Sequence, residues 1–115
     1  MADPTIDPTA FAELQQAAGV EFISELIDTF LEEAPTIFGE LRDALTRHDA
    51  ERYRRAAHSL KSNGNTFGAF TFGAMAREIE LKGLSADPQA DQTALDALAS
   101  EYARAASALK ELRHG

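Results

Sequence analysis

Residues 20–47 read VEFISELIDTFLEEAPTIFGELRDALTR. Apolar side chains recur in this stretch every three to four positions: Phe22 and Ile23, Leu26 and Ile27, Phe30 and Leu31, Ala34, Ile37 and Phe38, Leu41, then Ala44 and Leu45. That spacing matches the helical repeat of about 3.6 residues per turn and draws a wide apolar stripe down one side. Pro35 stands in the middle. A proline inside a helix removes one backbone hydrogen bond and crowds the carbonyl one turn earlier, here that of Leu31. The stripe keeps its phase across Pro35, so the spacing predicts one kinked helix over 20–47, with two helices meeting at Pro35 as the alternative.

The flanking segments continue the helical pattern. Asp7-Pro8 is a helix start, with Asp as N-cap and Pro at the first position, where its missing N–H costs nothing. Phe11 and Leu14 give that short helix an apolar edge, and Gly19 ends it. After the polar His48-Asp49 connection a third helix is expected over 50–63, with Tyr53, Ala56, Ala57 and Leu60 inward. Residues 62–68, SNGNTFG, are rich in breakers and read as its end. A fourth helix over 70–82 buries Phe72, Met75, Ala76 and Ile79 and is closed by Gly83. After Asp87-Pro88 a last helix over 89–112 carries Leu95, Leu98, Tyr102, Ala105, Leu109 and Leu112.

Composition agrees. Alanine occurs 22 times and leucine 12 times, while valine and isoleucine together occur 6 times. The strong helix formers outnumber the usual strand material, and no segment alternates over a strand's length. The reading is all-α: four longer helices and a short N-terminal one, joined by short connections. Short connections make neighbours antiparallel, which predicts an up-down antiparallel four-helix bundle with a cap helix, a single domain over 1–115.

Several function classes are excluded. The chain has no cysteine, so it has neither a disulfide framework nor a thiolate metal site. No apolar stretch reaches the length of a membrane span. The first residues, MADPTIDPTAF, lack the basic start and apolar core of a signal peptide, so a cytoplasmic setting is expected. A net charge of −8 repels phosphate backbones and argues against nucleic acid. Gly64 and Gly68 belong to no phosphate-loop signature. His48, His58 and His114 share no metal-ligand spacing, and the two core-facing Glu-x-x-His motifs that a di-metal site needs are missing, so no metal and no resident cofactor are expected. Pairing His58 with Ser62 as a hydrolase would need an oxyanion hole, which a continuous helix surface lacks.

His58 remains. With Tyr53 set at zero on a wheel of about 100° per residue, Ala56, Ala57, Leu60, Gly64 and Phe67 lie within about 60° of it, and His58 falls outside at about 140°. Arg54 lies one turn before it, and Lys61 and Ser62 one turn after, with Arg55 and Asn65 at the flanks. An exposed imidazole thus sits among cations on an otherwise acidic chain, where Arg and Lys can neutralise an anion brought to it. An exposed histidine on a helix is more often a solvated side chain, and from this geometry alone that bland reading holds the greater weight.

The run Ala57-His58-Ser59-Leu60-Lys61-Ser62-Asn63-Gly64-Asn65-Thr66-Phe67-Gly68-Ala69 resembles the signature of histidine phosphotransfer (HPt) domains: Ala-His-x-Leu-Lys-Gly, a few small or polar residues, then Gly-Ala after an apolar one. The likeness covers residues 7–84, the last helix matching in pattern. It implies a phosphoryl carrier with no ATP site, not an enzyme. His58, through Nε2 of its neutral ring, would accept a phosphoryl group from a receiver-domain aspartyl phosphate and pass it to another receiver. Lys61 would hold phosphoryl oxygens with Arg54 or Arg55 assisting, and Gly68 and Ala69 would be structural. The expected partners are response-regulator receivers or a hybrid histidine kinase, with Mg²⁺ on the receiver, and the chain itself a monomer. One departure stands out: Ser62 occupies the position usually held by glycine. Serine is small and can donate to a phosphoryl oxygen, and Gly64 and Asn65 are expected to add openness and polarity near the site. Two further classes compete, a docking module that binds a receiver or kinase without being phosphorylated and a small helical enzyme. The intact His58 and Lys61 pair argues against the first, and the lack of a second catalytic group near His58 argues against the second.

Overall fold

The computed structural model describes residues 5–114, with side chains through Leu112. Its elements are α1 (Pro8–Ala18), α2 (Val20–Arg47), α3 (Ala50–Thr66), α4 (Phe70–Lys82) and α5 (Pro88–His114), with no strand among the described residues. The caps are those the chain spells out. Asp7 Oδ1 accepts the Ala10 N–H at 2.9 Å with Pro8 at the first helical position, and Asp49 Oδ1 accepts the Arg52 N–H at 3.1 Å. Such capping contacts stabilise a helix start by about 1 kcal/mol each. Between α2 and α3 the chain reverses at His48, a non-glycine residue in the left-handed region (φ 55°), whose N–H and that of Asp49 satisfy the last carbonyls of α2.

The helix over 20–47 is a single element that runs through Pro35, which lies on the exposed side. Its buried residues are Ile23, Ile27, Phe30, Ala34, Phe38, Leu41, Ala44 and Leu45. Phe22, read from the sequence as part of the stripe, is instead 52% exposed, while Leu26, Leu31 and Ile37 are half-buried at the edges. The buried face is therefore one side chain wide at most turns, narrower than the pairs of apolar residues suggest.

α2 packs on α3 and α5, α3 on α4, and α4 on α5, so four helices close a ring around one core, while α1 lies against α2. Aromatic rings fill its middle. Phe30 lies 5.5 Å from Phe67, 6.2 Å from Phe72 and 5.6 Å from Tyr102 between ring centroids, and Tyr102 also meets Phe38 at 5.5 Å. The tilted and edge-on angles are those that aromatic quadrupoles favour.

α3 outruns the expectation. It continues past Asn63 to Thr66, and Gly64 and Asn65 are helical rather than part of a turn. Tertiary packing overrides the local breaker signal. A Cβ at Gly64 would fall 2.5 Å from Phe72 Cδ2, so glycine lets α4 approach, and Asn65 lies so close to Gly73 that a side chain there would collide with its amide oxygen. The turn proper is Gly68 at φ +83°, a conformation that glycine adopts without strain. The Gly68 carbonyl accepts the Asp7 N–H at 2.9 Å, which ties the start of α1 to the α3–α4 turn.

Candidate functional site

α3 turns Tyr53, Ala56, Ala57 and Leu60 into the core and leaves His58 outside, its side chain 56% exposed. The placement follows from the wheel. The wheel does not reveal the partner. His58 Nδ1 lies 2.8 Å from Glu80 Oε2, and the other oxygen of the same carboxylate, Oε1, lies 2.9 Å from Lys61 Nζ. Glu80 is 22 residues further along, on α4, and its side chain is only 17% exposed. One carboxylate therefore bridges the histidine and the lysine. The Lys61 ammonium, through its hydrogen bond, holds the Glu80 carboxyl below its ordinary 4.5, with the His58 contact adding to this and desolvation opposing it.

That charge decides the tautomer. An ionised carboxylate only accepts hydrogen bonds, so the Nδ1 it faces carries the hydrogen. In the neutral ring Nε2 then holds the free lone pair, on the side turned away from Glu80. Arg54, Arg55, His58, Ser59 and Glu80 line one open depression. Ser59 uses its hydroxyl on the Arg55 carbonyl at 3.2 Å.

The remaining sequence candidates divide. Lys61 is at the site but is an ion-paired residue, 22% exposed, and not one of three loose cations. Arg54 and Arg55 line the depression with exposed side chains, and Ser62 is exposed one turn after His58. Gly64 is not an opening beside the site. It is buried against Phe72, on the core side of α3. Asn65 packs toward Gly73 of α4 and lines no part of the depression. Gly68 and Ala69 act structurally. Gly68 makes the turn, and the fully buried Ala69 gives its N–H to the Gly64 carbonyl and accepts that of Gly73, both at 2.9 Å. His48 caps α2, and the His114 side chain lies outside the described residues. Among the described residues no group of acidic and histidine side chains could hold a metal ion, and no helix is long and apolar enough to cross a membrane.

Sequence reasoning missed Glu80 because a helical wheel treats one helix at a time. The available signal was slight: Glu80 directly follows the buried Ile79, at the margin of the α4 face that meets α3.

A solvent-facing histidine braced by a carboxylate, on an all-helical scaffold, fits a phosphotransfer domain. The family model described as Hpt domain matches residues 25–108, most of the chain, and the chain belongs to that family. Hpt domains are phosphotransfer carriers rather than enzymes, and work with receiver domains and histidine kinases in phosphorelays. Among known proteins, the sensor protein TorS of Escherichia coli (strain K12) is 31% identical over 84 residues, which are 73% of this chain and 9% of TorS. The crystal structure of histidine-containing phosphotransfer protein B (HptB) from Pseudomonas aeruginosa PAO1 superposes with a TM-score of 0.82 at 24% identity, covering 98% of this chain and 97% of that one. That likeness concerns the fold.

Proposed function

We propose that this chain carries phosphoryl groups in a multistep phosphorelay, taking them on His58 from a receiver aspartyl phosphate and giving them to another receiver aspartate. One observation carries the reading: His58 is exposed with Nδ1 engaged by Glu80, which leaves the Nε2 lone pair facing solvent. The chain's own part is positioning and charge compensation, which is most of what phosphoryl transfer asks of a protein. Lys61 has three N–H donors and uses one on Glu80, so the others can meet phosphoryl oxygens. Arg54 and Arg55 line the approach and assist, and Ser62 adds a small donor. The partners are receiver domains or a hybrid histidine kinase. Mg²⁺ belongs to the receiver, and the carrier needs no cofactor, ATP site or nucleic acid. The closed ring of helices and their short connections support an up-down antiparallel four-helix bundle capped by α1. As part of the same proposal, the chain is one domain acting as a cytoplasmic monomer.

The test compares wild type with His58→Gln, both incubated with a receiver bearing labelled aspartyl phosphate. Wild type should acquire an acid-labile, base-stable label. His58→Gln should melt within about 0.5 kcal/mol of wild type, as exposed substitutions do, and acquire none. Label on His58→Gln refutes the assignment. Binding to receivers without label on either protein makes the unphosphorylated docking module the correct reading.

A further inference from the structure

We propose a second binding site, separate from His58: the cavity between α3, α4 and α5 takes a small organic ammonium ion, its apolar body on Met75, Ile79, Ala94 and Ala97 and its charged end on the Asp91 carboxylate. The cavity measures about 250 Å³, is partly open to solvent and adjoins Gly83 at the connection from α4 to α5. It shares no lining residue with the depression around His58, so it stands apart from the carrier reading.

Two polar side chains are buried in its walls. Asp91 is 7% exposed and Tyr53 1%. Asp91 Oδ2 accepts the Ser85 N–H at 3.0 Å. A carboxylate offers about four lone-pair sites, so acceptor capacity remains. No lysine or arginine among the described residues forms an ion pair with it. Lys82 lines the cavity but is turned outward: its side chain is 79% exposed and its ammonium lies 3.5 Å from Glu78 Oε2. Asp91 stands in the first turn of α5, where the helix dipole offsets part of its charge without supplying a counter-ion. Burial, and then the charge of Asp91, push the Tyr53 phenol up to about 12, so its hydroxyl stays uncharged. A charge taken from water without a partner is costly, and a ligand ammonium supplies that partner.

Size and polarity set the ligand class. An apolar cavity of about 150 Å³ takes benzene. At about 250 Å³ this one has room for a ring bearing a short arm. Ile79, Ala94 and Ala97 give the ring an apolar surface, and the flexible thioether of Met75 adapts to its shape. The arm ends in an ammonium group, whose N–H groups donate to the Asp91 carboxylate and to the Tyr53 oxygen. An anion would be pressed against an unpaired carboxylate, and a neutral alcohol would leave its charge uncompensated. Glu78 adds no preference of its own, since Lys82 offsets it.

The experiment titrates 2-phenylethylamine into the ¹⁵N-labelled full chain and follows the backbone amides by NMR, beside 2-phenylethanol and phenylacetate as neutral and anionic probes of similar shape. The amine should shift the amides of Tyr53, Met75, Ile79, Asp91 and Ala94 and saturate below about 10 mM. It should bind about tenfold tighter than the alcohol, the difference between a charge-assisted and a neutral hydrogen bond, and phenylacetate should not saturate. Asp91→Asn should bring the amine and the alcohol within about threefold of each other. Ala94→Leu fills the cavity from a half-buried position, should weaken the amine by about tenfold or more, and tests the site even if the Asn variant fails to fold. Shifts that stay linear in concentration, or that spread over exposed acids such as Glu32 and Glu33, mean loose attraction to an acidic surface and overturn the inference. Equal affinity for the three probes, an undiminished preference in Asp91→Asn, or wild-type binding by Ala94→Leu each overturns it as well.

Discussion

Gly64→Ala tests the contact that brings α4 close to α3. The added Cβ would stand 2.5 Å from Cδ2 and 3.1 Å from Cε2 of Phe72, whereas unstrained carbon contacts lie near 3.5–4.0 Å. The ring cannot swing into solvent. Phe72 is fully buried, edge-on to Phe30 at 6.2 Å and 6.1 Å from Tyr102, so a shift of about an ångström would propagate through the aromatic cluster. Overpacking of this kind costs about 1–3 kcal/mol, and a contact this short belongs at the upper end. Alanine returns about 1 kcal/mol as a better helix former, which leaves a net loss of about 2 kcal/mol. For a chain of this size that lowers the melting temperature by about 8 °C. Gly39→Ala is the matched control: it is also inside a helix, with nothing within 4 Å of the new Cβ, and should stabilise by up to about 1 kcal/mol. Thermal and urea unfolding of both variants followed by circular dichroism give the comparison. Gly64→Ala melting at or above wild type would refute the close packing and return Gly64 to the role of a helix-end opening near His58.

Phe30→Ala removes the ring shared by Phe67, Phe72 and Tyr102 and should cost about 3–5 kcal/mol; a change below 1 kcal/mol in urea titration would mean that the cluster is not the centre of the core. Lys61→Ala should remain folded while phosphoryl transfer from a labelled receiver slows by about ten- to a hundredfold, the loss of one charge-assisted contact, and wild-type rates would remove Lys61 from the site. Arg47, then Arg52, holds the Asp43 carboxyl below its ordinary 3.8. A carboxylate lowered by folding stabilises above its unfolded pKa, and the gain is lost as pH falls through the folded value. Asp43→Asn should therefore be less stable than wild type at pH 7 and indistinguishable from it near pH 2; a gap that widens in acid would reverse the assignment.

What could be read from residue order is what lies within single helices. The α2 stripe, the Asp7 cap and the outward side of α3 at His58 are one-dimensional patterns, and each appears as expected. The stripe's continuity across Pro35 also carried the right weight over the local breaker. The errors sit where two helices meet. Gly64 and Asn65 look like a turn in isolation but are held helical by Phe72 and Gly73 across the interface. Glu80 reads as one more surface acid until α4 lies against α3 and delivers it between His58 and Lys61. Phe22 fails for a different reason: it stands beside the buried Ile23, off a buried face that is only one side chain wide.

The closed ring of helices has a kinetic consequence. Three of its four pairings, α2–α3, α3–α4 and α4–α5, join consecutive segments, and the fourth, α2–α5, joins segments far apart in the chain. Chain closure over short separations loses little entropy, so most of the native contacts become available early, in the microsecond-to-millisecond regime of helical bundles. The seam between α2 and α5, marked by Phe38 against Tyr102, is the closure that must wait for the rest. Weakening that seam should therefore show itself as faster opening of the folded chain rather than slower assembly, which stopped-flow refolding and unfolding of Phe38→Leu would separate.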